Sequence, residues 1–236
     1  MSDVAVSNAL IGCLPARDHA RALERCESVE LVFGAILCEP GQQYRHVHFP
    51  LTGFISLVAT VDGHKPLEMG LIGNEGMLGA TVALGVGNAP QRGVVQGSGT
   101  ALRMTVAHLR ADLHDSVALR RTINRYLYVL MAQLSQTAAC TRFHAIEARL
   151  ARWLLMTHDR AHRDHFYLTH DFLADMLGVR RSAVTIAAGA LQRRELISYS
   201  RGRIVIQDRK GLEVASCECY QAVVDDYSNL FGKDAS

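Results

Sequence analysis

The residues best suited to chemistry lie in one short segment, where arginine and hydroxyl side chains stand among small apolar residues. Arg180, Arg181, Ser182 and Thr185 belong to this segment, and Thr169 begins it. An arginine side chain can bind a phosphate or the acceptor edge of guanine, and a hydroxyl group can hydrogen-bond to several bases. The set is therefore suited to binding a nucleic acid.

The same segment predicts two helices joined by a tight turn. Thr169 is a suitable N-cap for the first helix, and Gly178 can adopt the positive φ that ends it. In the second helix, small and apolar residues recur on one face: Ala183, Val184, Ala187, Ala190 and Leu191. This pattern predicts a helix-turn-helix over 169–194, whose second helix enters the major groove by its N-terminal end.

Two short β-prone runs follow, at 195–200 and 202–206. They predict a hairpin that turns at Arg201 and Gly202, with Arg201 and Arg203 close to phosphates. Residues 142–210 contain 13 Lys and Arg against 7 Asp and Glu, whereas residues 1–141 contain 11 of each. A winged helix-turn-helix in this cationic block predicts DNA binding.

The region before this block predicts an antiparallel β-barrel or roll. β-prone runs at 31–37, 44–49, 54–60, 67–72, 93–95 and 100–104 are separated by glycine-containing turns. A short helix over 18–29 is expected to lead into them. The fold class is therefore α+β.

A long helix is predicted over 117–141, since this stretch lacks Gly and Pro. Its apolar or small residues recur with the alternating spacing of a coiled coil: Ile123, Leu127, Leu130, Leu134, Thr137 and Thr141. These residues predict a homodimer interface. The alternative is a helix packed on its own barrel. However, Tyr126, Tyr128 and Val129 offer further apolar surface, so one stripe can face the barrel and another a second chain. A second helix is predicted over 145–157.

No metal site or cofactor is expected from the cysteines and histidines. The six cysteines lack CxxC spacing, and Cys217 and Cys219 fit packing better than a metal site or a redox pair. His158, His162 and His165 could ligate zinc, but no further ligand is evident in the sequence.

Composition and motifs bear on the class of protein. Apolar stretches are too short for a membrane helix, and no signal peptide is evident, so we expect a cytoplasmic protein. The first 115 residues lack a P-loop, GxSxG or HExxH, so we expect no enzyme. An enzyme with a fused DNA-binding tail and a ligand-binding module that never touches DNA are the alternatives.

Over residues 10–212 the chain resembles the Crp/Fnr family of bacterial regulators, most specifically from Phe172 to Thr185 and at Leu196-Ile197. The resemblance implies a cyclic-nucleotide-binding-like β-roll sensor domain of the cupin-like jelly-roll type over 1–115. It also implies a dimerisation helix over 116–141 and a winged helix-turn-helix domain over 142–236. The implied function is a homodimeric, sequence-specific transcription regulator that binds a double-stranded DNA operator, with RNA polymerase as a candidate further partner.

Two departures from the family pattern matter. Ser182 and Ile186 stand where the family's recognition helix often has Glu and Arg, which leaves the half-site sequence open.

In the family's cyclic-nucleotide binders, a glycine-rich turn and an Arg followed by a hydroxyl residue hold the phosphate. Here the matching residues are Gly73, Glu75, Gly76 and Arg92, and Gly93 replaces the hydroxyl residue. We therefore expect no bound cyclic nucleotide, the alternative being a cyclic-nucleotide-responsive regulator that uses Arg92 and the 73–79 turn.

Overall fold

The chain divides into two units in the computed structural model, which describes residues 7–161 and 163–231. The first unit comprises Met1–Leu57 and Leu71–Met131, and the second comprises Val58–Gly70 and Ala132–Ser236. None of the described helices is long and apolar enough to cross a membrane.

Two β-sheets account for the β-prone first half of the chain. The strands are β1 Cys26–Leu31, β2 Ile36–Cys38, β3 His46–Pro50, β4 Phe54–Ala59, β5 Leu67–Ile72, β6 Arg92–Gly97 and β7 Gly99–Thr105. One sheet has the order β1-β7-β3 and the other β2-β6-β4-β5. β7 pairs antiparallel with both of its neighbours, and β2 pairs antiparallel with β6. The predicted antiparallel roll is confirmed.

Apolar side chains of both sheets are buried. Val47, Ile55, Val95 and Ala101 have no exposed surface, as expected where strands alternate inward and outward residues. Short helices accompany the sheets: α1 Ala9–Gly12, α2 Ala16–Glu24, a 3-10 turn Ala80–Leu84 and α3 Val106–Asp115.

The predicted start of the roll was wrong. The helix expected over 18–29 ends at Glu24, and the strand expected over 31–37 is interrupted by Gly34, whose φ of 81° makes a turn. Residues 26–31 form β1 instead because they pair along their whole length with β7, where Glu27 also forms a 2.8 Å ion pair with Arg103. Cross-strand pairing here outweighs a local helix pattern.

Six helices and a small sheet form the rest of the chain within the residues that the structure describes. The helices are α4 Val117–Phe143, α5 Ile146–Ala161, α6 His170–Leu177, α7 Arg181–Arg193, α8 Arg209–Ala215 and α9 Cys219–Phe231. The strands β8 His165–Tyr167, β9 Ile197–Ser200 and β10 Arg203–Ile206 lie in the order β8-β10-β9. The helices predicted over 117–141 and 145–157 are confirmed, although each continues past its predicted end.

A continuous apolar core supports α6 and α7. Leu150 and Leu154 of α5, Val184 and Leu191 of α7, and Ile204 of β10 are fully buried. Since α5 packs against both α7 and α8, the orientation of α7 is set by side chains that cannot move independently.

Candidate nucleic-acid interface

The first helix of the motif has the two ends that the sequence predicts. Thr169 Oγ1 accepts a 3.1 Å hydrogen bond from the Phe172 N–H, which makes Thr169 the N-cap of α6. Gly178 ends α6 with a φ of 63°, and the Val179 N–H then donates to the Ala174 carbonyl at 2.9 Å. A side chain at Gly178 would be strained at this φ, so the glycine is required for the turn into α7.

The second helix, α7, has one buried and one exposed face. Val184, Ala187, Ala188 and Leu191 are buried. The exposed face begins at the N-terminal end of the helix and contains Arg181, Ser182, Thr185 and Ile186. These four residues follow the i, i+1, i+4, i+5 spacing of one helix face. We call them the recognition face.

Arg181 is accessible despite an acidic neighbour. Its Nε lies 3.4 Å from Asp171 Oδ2, and both side chains are 67% exposed. Asp175, the other nearby acid in sequence, instead pairs with Lys65 at 2.7 Å. An exposed ion pair of this kind contributes about 0–1 kcal/mol, so the guanidinium group of Arg181 can exchange Asp171 for a base or a phosphate.

Thr185 is already engaged within the protein. Its Oγ1 lies 2.9 Å from His170 Nδ1 and 3.1 Å from the Arg181 carbonyl oxygen. The His170 ring stacks on Tyr199 with centroids 4.3 Å apart. Burial and the charge of Arg181 lower the pKa of His170, which favours the neutral imidazole. This arrangement links α6, α7 and β9, and leaves Thr185 less able to contact a base than Ser182.

The predicted hairpin is confirmed as a wing made of β9 and β10. Arg201 and Gly202 have φ values of 49° and 80°, the two positive angles of a tight hairpin turn that matches strand twist. Arg201 and Arg203 are exposed, as is Arg180 before α7. Among the residues that the structure describes, these three arginines have no carboxylate partner, so each can approach a phosphate.

Ile186 is a member of the recognition face that the sequence analysis did not include among the DNA-binding residues. Its side chain is 71% exposed, which is unusual for isoleucine in a helix that packs so tightly on its other face. The available signal was its position, five residues after Arg181 and one after Thr185. An exposed apolar group here can contact the methyl group of thymine.

The long helix α4 buries part of its predicted interface residues in its own chain. Ile123 has no exposed surface, and Thr137 is buried and accepts a 2.8 Å hydrogen bond from Arg152 Nη2. Tyr126 is also fully buried, with its ring so close to Gly76 that a Cβ there would lie 2.6 Å from it. This side of α4 therefore packs against the chain itself.

A neighbouring stripe of α4 is left uncovered. Leu127 and Leu134 are half-buried, while Met131 and Ala138 between and after them are exposed. Leu130, also predicted for the interface, is half-buried. Residues 127, 131, 134 and 138 have the 4, 3, 4 spacing of a coiled-coil seam; we call them the α4 seam.

The glycine-rich turn after β5 already has protein side chains at the positions where a phosphate would bind. The Gly73 N–H donates to Glu75 Oε1 at 3.2 Å. Gly76 lies against the Tyr126 ring, as described above. A phosphate at this turn would have to compete with the Glu75 carboxylate for the Gly73 amide.

Arg92, the other candidate effector residue, is held by an acid. Its Nε lies 2.9 Å from Glu39 Oε2. The next residue, Gly93, is packed so that an added Cβ would lie 2.9 Å from Cys38 Sγ. A serine or threonine at this position would therefore require a shift of the neighbouring strand.

His158, in the last turn of α5, is engaged in local contacts. His158 Nε2 lies 2.8 Å from Asp164 Oδ1, and His158 Nδ1 lies 2.5 Å from Arg209 Nη1. His165 begins β8 and is exposed. His162 lies outside the described residues.

Comparisons with known proteins agree with this geometry. Residues 148–215 match the family of the Crp-like helix-turn-helix domain. No curated protein sequence matches the chain at a significant level.

Solved structures extend the likeness to most of the chain. A transcriptional regulator of the Crp/Fnr family from Eubacterium rectale is 15% identical with a TM-score of 0.67, and the match covers 87% of this chain and 96% of that one. FixK2 from Bradyrhizobium japonicum is 12% identical with a TM-score of 0.67, covering 81% and 98%. The c-di-GMP-responsive global regulator CLP of Xanthomonas campestris is 15% identical with a TM-score of 0.66, covering 81% and 99%.

The domain match covers the helix-turn-helix and its wing, and the structural likeness shows that the preceding sheets and long helix share the fold of these solved structures. Residues 148–215 therefore form a Crp-like helix-turn-helix domain, a domain type that implies DNA binding, and the chain shares its fold with these solved regulators.

Proposed function

We propose that the protein is a cytoplasmic homodimer that binds a specific palindromic operator and whose β-roll does not respond to cyclic nucleotides. The observation that carries the proposal is the exposed recognition face of α7, flanked by the arginines of the wing and placed on a rigid core. RNA polymerase is the predicted partner of the bound dimer.

The recognition face is suited to three kinds of base contact. The guanidinium fork of Arg181 can donate to O6 and N7 of guanine, and the Ser182 hydroxyl can donate or accept at an adjacent base. Ile186 supplies apolar contact to a thymine methyl group. A half-site with guanine and thymine a few base pairs apart follows from these side chains, and it differs from one read by Glu and Arg at positions 182 and 186.

The wing and the start of α7 provide the phosphate contacts. Arg201 and Arg203 extend from the hairpin, while Arg180 precedes the first turn of α7. Phosphate contacts fix the register of a protein on DNA without specifying sequence. We therefore propose that these three arginines contact phosphates and contribute affinity. Arg181, Ser182 and Ile186 would contact bases and determine the sequence specificity.

The homodimer is supported by the α4 seam. Four residues with coiled-coil spacing remain half-buried or exposed on a helix of 27 residues. A second copy related by two-fold symmetry would cover them and would place two recognition helices about 34 Å apart, one turn of DNA.

Selection from a random duplex library tests the proposed function. The full-length protein should enrich a palindrome with half-site centres about 10 base pairs apart, and its affinity should fall steeply with salt. A single, non-repeated motif would contradict the dimer. Absence of any enriched sequence would contradict specific DNA binding altogether.

Cyclic AMP and cyclic GMP are expected to give no saturable heat with the protein at micromolar concentrations in calorimetry. The physical reason is that Glu39 already pairs with Arg92, and the Glu75 carboxylate already accepts the hydrogen bond of the Gly73 amide. Glu39→Ala, which frees Arg92, serves as the comparison. A micromolar binding heat in the wild-type protein that disappears in Arg92→Ala would restore the cyclic-nucleotide alternative.

A further inference from the structure

Four potential metal ligands converge where α4 ends. Cys140 lies in the last turn of α4, and His144 follows the helix directly. Cys217 lies just before α9, and Cys219 is its first residue. The ligand atoms of these four side chains all lie within 4.8 Å of one another. Sequence spacing could not suggest this set, since more than 70 residues separate its two halves.

The distances fit a single tetrahedral ion. Cys140 Sγ lies 3.5 Å from Cys217 Sγ, and Cys219 Sγ lies 3.4 Å from His144 Nδ1. Zinc bonds of about 2.3 Å to sulfur and about 2.0–2.1 Å to nitrogen give tetrahedral edges of about 3.8 Å and about 3.5 Å. An iron-sulfur cluster would hold its protein ligands further apart, because the cluster itself lies between them.

The surroundings orient the ligands as in a built metal site. His144 presents Nδ1 to the cluster, while its Nε2 lies 3.1 Å from Glu218 Oε1. A carboxylate on the outer nitrogen fixes the tautomer and orientation of a metal-binding histidine. Gln136 Nε2 also donates to Cys219 Sγ at 3.0 Å. Glu218 is the residue between the two cysteines, so one short segment supplies two ligands and the group that orients a third.

The charges are compatible with three thiolates around a divalent ion. Such a site carries one net negative charge. The side chain of Arg152 is buried nearby, and its positive charge interacts favourably with a Cys140 thiolate. The three thiols are buried, so an unpaired charge there would be costly. Arg152 offsets it.

Simple packing or a disulfide explains less of the arrangement. Packed thiols need no imidazole aimed at them and no carboxylate behind it. A disulfide between Cys140 and Cys217 would use two of the four groups and leave Cys219 and His144 together without a role.

We propose that Cys140, His144, Cys217 and Cys219 bind one zinc ion in a structural site. The ion would fasten the segment before α9 to the junction between α4 and α5. It would close a loop of the chain that contains the whole helix-turn-helix and its wing. Zinc sites of this ligand type stabilise the fold because the unfolded chain does not hold the ligands together.

Metal analysis of full-length protein, purified under reducing conditions without an immobilised-metal column, tests the site. We expect about one zinc per chain in the wild type and close to none in the Cys217→Ser, Cys219→Ser double variant. Cys38→Ser is the matched control, since Cys38 is a buried thiol of the β-roll, and it should keep the full zinc content.

Cobalt substitution gives a readout that does not depend on a folded variant. Wild-type protein stripped of metal should bind one Co²⁺, with a thiolate-to-cobalt charge-transfer band and intense visible bands of tetrahedral cobalt. Glu218→Gln keeps all four ligands and should weaken zinc binding by about 10–100-fold.

Three results would overturn the proposal. They are wild-type protein without zinc that also gives no thiolate-to-cobalt band, a double variant that retains stoichiometric zinc, and a Cys140–Cys217 disulfide in metal-free protein purified under the same reducing conditions.

Discussion

Met131→Glu is expected to convert the protein into monomers and to lower its affinity for a palindromic operator by about 10²–10⁴-fold. Met131 is 59% exposed in the single chain, so the substitution should leave the fold of each chain intact. In a two-fold pair of α4 helices, however, residue 131 of each chain would lie near its own copy. Two carboxylates would then face each other and repel. The two DNA-binding domains would no longer be linked, so binding at one half-site would no longer favour binding at the other.

Charge reversal makes this prediction specific. Met131→Lys alone should also give monomers, whereas an equimolar mixture of the Glu and Lys variants should form heterodimers and regain operator binding. Tyr128→Glu is the matched control, since Tyr128 is an exposed apolar residue of the same helix that lies off the seam. It should remain a dimer. Sedimentation equilibrium of the four samples gives the answer, and a dimeric Met131→Glu protein would place the interface elsewhere.

The sequence allowed the DNA-binding half to be predicted well because local chemistry determines it. Thr169 can cap only the helix that follows it, and Gly178 is needed wherever a positive φ ends a helix. Arg201-Gly202 likewise matches the turn that joins two short strands. Each of these features depends on a few neighbouring residues.

The features that were mispredicted or missed depend on contacts between distant residues. β1 forms where helix was expected because β7, about 70 residues away in the sequence, pairs with it. The heptad spacing of α4 identified an apolar helix, but spacing could not show that Ile123 and Thr137 face their own chain while Met131 does not. Cys217 and Cys219 acquire partners only when α4 ends beside the start of α9.

The electrostatic environment of the recognition face also depends on such contacts. The alternative to a base contact for Arg181 is that it merely packs or pairs with an acid such as Asp175. In the structure, Asp175 forms an ion pair with Lys65, and Asp171 lies 3.4 Å from Arg181. The contact between Arg181 and Asp171 is longer and more exposed than the Lys65–Asp175 pair, so the guanidinium group of Arg181 stays accessible.

Arg181→Ala and Arg203→Ala are therefore expected to weaken DNA binding in two different ways. Arg181 can donate two hydrogen bonds to one guanine, so its loss should cost about 1–3 kcal/mol per half-site on the selected operator and flatten the preference at one base pair. Arg203 is exposed in the wing, where phosphates are the expected partners, so its loss should weaken binding to all sequences alike and reduce the slope of log K against log salt by about one.

Competition gel-shifts with operators altered at single base pairs, repeated at several salt concentrations, separate the two arginines. Asp171→Asn is the matched control for Arg181, because it removes the acid beside the guanidinium group and keeps the arginine itself. It should preserve the ranking of operators and bind all of them slightly more tightly. If Arg181→Ala also leaves that ranking unchanged, Arg181 contacts only the phosphate backbone, and the specificity of α7 must come from Ser182 and Ile186.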